Sequence, residues 1–75
     1  MTITTEVLIK DIENTKKELK AYRMIIDGFR ILSNLPENDP EKFRIKIMKY
    51  VSNALKCSIL LDKLQDIYDR RMRNE

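Results

Sequence analysis

Apolar side chains recur along this chain at alternating steps of four and three. Leu8, Ile12, Leu19, Tyr22, Ile26 and Phe29 follow that rhythm, with Thr15 holding the one polar place in the row. Phe43, Ile47, Tyr50, Ala54, Cys57, Leu61, Leu64 and Tyr68 repeat it without interruption. A mean step of 3.5 residues is the heptad seam of a helix packed knobs-into-holes against a neighbour, so two long helices are predicted. Thr4 or Thr5 can cap the first, with Glu6 in its first turn and Ile3 placed to staple against Leu8. Pro36 pushes Leu35 out of the helical region, so that helix should end near Ser33 or Asn34. Asp39 then reads as an N-cap, with Pro40 at the first helical position and Glu41 in the first turn. The expectation is one domain, 1–75, with helices over about 5–33 and 40–73 and a loop over 34–39. Each helix would be about 45 Å long.

So short a loop makes the helices antiparallel neighbours. Facing residues then have a constant sum of residue numbers. Phe29 with Ile47, Ile26 with Tyr50, Tyr22 with Ala54, Leu19 with Cys57, Thr15 with Leu61, Ile12 with Leu64 and Leu8 with Tyr68 all sum to 76. Bulky Tyr22 meeting small Ala54 is the volume alternation a packed seam prefers.

The seam does not use up the apolar residues. Met24, Ile25, Ile31 and Leu32 widen the end of the first helix, and Met48, Val51, Leu55, Ile59, Leu60 and Ile67 widen the second. A lone hairpin would leave this surface wet, which a soluble monomer avoids. Two solutions follow: a homodimer closing a four-helix bundle, or a groove for a partner protein's helix. Met48, Val51, Leu55, Ile59, Ile25 and Leu32 are the candidate interface residues in either case.

Composition narrows the chemistry. The 75 residues include one Gly, two Pro, one Cys and no His. A chain this small has a marginal core of its own. One cysteine cannot close an internal disulfide, and lack of histidine removes the commonest metal ligand and general base. One glycine leaves no room for a glycine-rich phosphate loop. No cofactor, metal site or small-molecule substrate is expected, and no enzyme activity is evident. The first ten residues lack a charged segment followed by an apolar run, and no apolar run is long enough to span a membrane, so a cytoplasmic protein is expected.

Fifteen Lys and Arg against twelve Asp and Glu leave a formal charge of +3. Lys42, Lys49, Lys56, Lys63 and Arg70 fall at seven-residue steps, which a supercoiled helix aligns into one basic ridge. Such a ridge suits phosphates or an acidic partner, so RNA or DNA binding is one alternative function. The favoured reading of the ridge is an ordinary solvated outer face, diluted by Asp62, Asp66 and Asp69. Arg70, Arg71 and Arg73 sit at the negative end of the second helix dipole. On the first helix, Lys16, Lys17, Lys20, Arg23 and Arg30 alternate with Glu13, Glu18 and Asp27, a spacing that favours ion pairs along a solvated face. Cys57 lies on the seam and is expected to be a small buried hydrophobe. Tyr22, Tyr50 and Tyr68 are expected to pack in the seam with their hydroxyls reaching water.

One segment, Ser58-Ile59-Leu60-Leu61-Asp62-Lys63-Leu64 continuing to Tyr68, resembles the Ser-x-x-Leu-Asp-x-Leu signature of small sporulation-regulating aspartyl-phosphate phosphatases. Ile12-Glu13-Asn14-Thr15-Lys16-Lys17-Glu18-Leu19 is similar to that family's first-helix pattern, with Lys16 where an arginine is usual. The resemblance implies a helical hairpin that docks on a response regulator and promotes loss of its phosphoryl group. Ser58, Leu61, Asp62 and Leu64 would be the signature residues, with Asp62 near the phosphoryl site. The leading expectation from the residues themselves is an all-α hairpin that regulates or adapts by touching another protein.

Overall fold

The structure, a computed structural model, describes residues 3–74. It is an antiparallel hairpin of two helices, α1 (Thr5–Ser33) and α2 (Pro40–Asn74). Both helices start where the side chains dictate. Thr4 is extended, with φ −69° and ψ 154°, and its Oγ1 accepts the Val7 N–H at 3.2 Å. Asp39 Oδ1 accepts the Glu41 N–H at 3.1 Å, so the cap directly before Pro40 does what its position requires.

The turn is made without a left-handed residue, since no described residue has a positive φ. Asn34 closes α1 in a right-handed conformation at φ −87°. Its N–H bonds the Ile31 carbonyl, Leu35 N–H bonds Leu32 and Asn38 N–H bonds Leu35, at 3.1–3.2 Å. Asn38 Nδ2 also donates to the Leu32 carbonyl at 2.8 Å. These bonds satisfy carbonyls that a helix end leaves orphaned. The loop therefore needs no glycine, and Gly28 stands inside α1 instead.

Burial follows the heptad rows. Leu8, Ile12, Thr15, Leu19 and Ile26 are buried, and Tyr22 and Phe29 are half-buried. All eight residues of the second row, Phe43 through Tyr68, are half-buried, and α2 has no fully buried residue. Thr15 keeps its hydroxyl satisfied in the seam by donating to the Asp11 carbonyl at 2.7 Å. Leu8 is wholly enclosed, whereas Ile3, its expected staple partner, stays about half exposed.

Ring contacts fix the register near the loop. Phe29 lies 5.7 Å from Tyr50 and 6.0 Å from Phe43, and Tyr22 lies 6.2 Å from Tyr50, between centroids. These pairs sum to 79, 72 and 72, and bracket the expected 76. Tyr22 thus meets Tyr50, which belongs to the layer next to that of Ala54, with the rings tilted by 42°. Lys46 Nζ sits 5.8 and 5.9 Å above the Phe29 and Phe43 rings and shields that cluster from solvent.

Candidate interaction surfaces

Helix pairing decides which leftover residues share a side. Residues seven apart along a supercoiled helix lie in one row. On one broad side a shallow groove is lined by Ile9, Ile12, Glu13 and Lys16 of α1 with Gln65 and Tyr68 of α2. On the opposite side Asp11, Asn14, Thr15 and Glu18 face Leu60 and Leu64. Stepping back by sevens from Gln65 gives Ser58, Val51 and Arg44, so Val51 belongs to the first side. Met48 and Leu55 stand in the adjoining row, and Ile59 in the outermost one. Stepping forward from Glu18 gives Ile25 and Leu32, which belong to the second side.

The six candidate interface residues therefore do not form one surface, contrary to their treatment as a single interface. Met48, Val51, Leu55 and Ile59 make a stripe on one flank of α2, with Met48 63% and Leu55 61% exposed. Ile25 and Leu32 are exposed on the other side of the hairpin. Sequence reasoning also passed over Ile45, at 73% the most exposed large apolar residue among those described. Its signal is its row: Ile45, Ser52 and Ile59 run at seven-residue steps along the outer edge of the stripe.

All five residues of the basic ridge, Lys42, Lys49, Lys56, Lys63 and Arg70, are exposed. Their row lies between that of Lys46 and that of Ile45 and Ile59, so the ridge borders the outer edge of the apolar stripe and continues round the back of α2. Arg70 is paired with Asp66 at 3.1 Å. Among the described residues the four lysines make no ion pair within 4 Å: Asp66, the acid nearest Lys63, is held by Arg70, and no acid stands three or four residues from Lys49 or Lys56. The only other ion pair among those residues joins Arg44 and Glu41 at 3.8 Å, with both side chains largely exposed. The i,i+4 pairs expected along α1 do not form: fully hydrated charges on long side chains gain too little to be held together. At the far end of α2, Arg73 Nε donates to the Asp69 carbonyl at 3.4 Å, a cation bonded to the last turn.

Cys57 departs from expectation. It is half-buried, not enclosed, because α2 is covered on one face only, and its Sγ lies 3.7 Å from Glu18 Oε2. Partial desolvation pushes the thiol above its ordinary pKa, and the Glu18 carboxylate adds to that by accepting its proton and repelling a thiolate. The signature-like residues divide between two faces: Leu61 and Leu64 are in the seam, Ser58 is half-buried beside it, and Asp62 is exposed at the end of the apolar stripe. Among the described residues no three His, Cys, Asp or Glu groups converge as metal ligands, and no helix is long and apolar enough to cross a membrane. No family model matches the chain, and no curated protein or solved structure matches it either.

Proposed function

We propose that the hairpin is a small, non-enzymatic cytoplasmic regulator or adaptor that works by protein–protein contact through its helical surfaces. The observation that carries this reading is the exposed stripe of Met48, Val51, Leu55 and Ile59 on α2, apolar and continuous over three turns. Ile25 and Leu32 on the opposite side supply a second, separate contact patch, so the hairpin has the two faces that bridging requires. In vivo crosslinking in the native host, with the wild-type chain as bait, should yield defined adducts. Met48→Glu with Leu55→Glu, and separately Ile25→Glu with Leu32→Glu, should each remove some of them. Both pairs are exposed, so circular dichroism should show the helices intact. Adducts unchanged by either pair would sink this reading.

A second reading rests on the four unpaired lysines of the ridge, which would track the phosphates of RNA or DNA. Binding would then weaken steeply with salt, and Lys49→Glu, Lys56→Glu and Lys63→Glu together would abolish it. The phosphatase-like reading makes Asp62 essential: Asp62→Ala would end regulator dephosphorylation with the fold unchanged. A phosphorylated regulator that decays equally fast with and without the wild-type hairpin would exclude it.

A further inference from the structure

The stripe on α2 belongs to a second heptad row whose two ends carry opposite charges. Arg44, Met48, Val51, Leu55, Ser58 and Asp62 follow one another at steps of four, three, four, three and four. All but Ser58 are exposed, and they share one flank about 27 Å long. Laid antiparallel on itself, the row is self-complementary. Pairs summing to 106 set Arg44 against Asp62, Met48 against Ser58 and Val51 against Leu55, and the two-fold axis repeats each pair. Ile45 and Ile59, in the outer row, come within two residues of the same register. In a parallel arrangement Arg44 would face Arg44 and Asp62 would face Asp62, a like-charge cost at both ends.

Area points the same way. The chain exposes 6215 Å², whereas a compact monomer of its 9.0 kDa exposes about 4,900 Å². The excess is about 1,300 Å² per chain, more than the roughly 800 Å² that each partner buries in a stable complex.

We infer that the occupant of this flank is a second copy of the chain, packed antiparallel on α2, with Val51 and Leu55 at its centre and an Arg44–Asp62 pair at each end. The inference rests on reading the stripe as a contact surface, and it leaves the Ile25–Leu32 side and the lysine ridge facing outward. The Arg44–Glu41 pair within one helix does not compete seriously, since both groups are exposed.

Light scattering on the purified chain across about two decades of concentration should show a dimer. Arg44→Asp and Asp62→Arg each place like charges at both ends and should weaken the dimer about tenfold or more, while the two combined should restore it to about the wild-type constant. Leu55→Glu should leave a helical monomer. The charge swaps lie on the surface, so circular dichroism should separate loss of pairing from loss of fold. A wild-type chain that stays monomeric throughout overturns the inference, as does a dimer indifferent to the swaps. Either outcome leaves the adaptor reading to the crosslinking experiment, whose adducts with other proteins do not depend on self-association.

Discussion

Gly28 occupies an exposed place inside α1, and a Cβ built there meets nothing within 4 Å. A helical glycine wastes backbone entropy that alanine would not, so Gly28→Ala should stabilise the hairpin by about 1 kcal/mol, read in thermal or urea unfolding. A loss of stability would mean that the helix bends or is covered at that point. Cys57 predicts a pH effect of definite sign. Partial burial, with the Glu18 carboxylate beside it, raises the folded thiol's pKa, so the neutral form is favoured in the folded state. Its contribution is whole below the unfolded thiol's value of about 8.5 and is lost as pH rises through the higher folded value. Stability should therefore fall on the alkaline side, and Cys57→Ala should lose less over that window than the wild type. Equal slopes in the two proteins would refute the coupling.

Between the helices, the strongest local feature is the ladder of Phe43, Phe29, Tyr50 and Tyr22 near the loop, with Phe29 touching the rings on both sides of it. Truncating Phe29 removes two ring contacts and the platform under Lys46 together. Phe29→Ala should cost about 2 to 3 kcal/mol, toward the low end for a phenylalanine because the site is half-buried. Hydrogen exchange should then accelerate first around the loop, while amides near the enclosed Leu8 keep their protection. Uniform acceleration along both helices would show that the hairpin opens as one unit.

The whole molecule measures 57 × 20 × 14 Å, with a radius of gyration of 16.9 Å. A compact domain of this length would have a radius near 11 Å. At 14 Å the narrow dimension is about one helix thick, so nothing covers the outer faces, and only five described residues are buried. Stability supplied by a second copy depends on mass action. The melting temperature should rise with protein concentration in the wild type and stay constant in Leu55→Glu. A wild-type midpoint independent of concentration would show a hairpin that stands alone.

The sequence by itself determined the helices, their ends and the seam. A 3.5-residue rhythm has only one regular explanation, and Thr4, Pro36, Asp39 and Pro40 act within a turn of where they stand. It also marked Met48, Val51, Leu55 and Ile59 as surplus, because they fall outside the seam. Two things waited for the tertiary structure. Ile25 and Leu32 lie opposite that stripe because antiparallel pairing decides which row of α1 borders which row of α2. Cys57 and its whole row are only half-buried because a two-helix layer closes one face of each helix and leaves the next wet. That Lys49 and Lys56 stay unpaired was already legible, because no acid stands three or four residues from either, and Asp66, the acid nearest Lys63, is held by Arg70. Periodicity reports which residues turn inward along one helix. The direction in which the others face is a property of the pair.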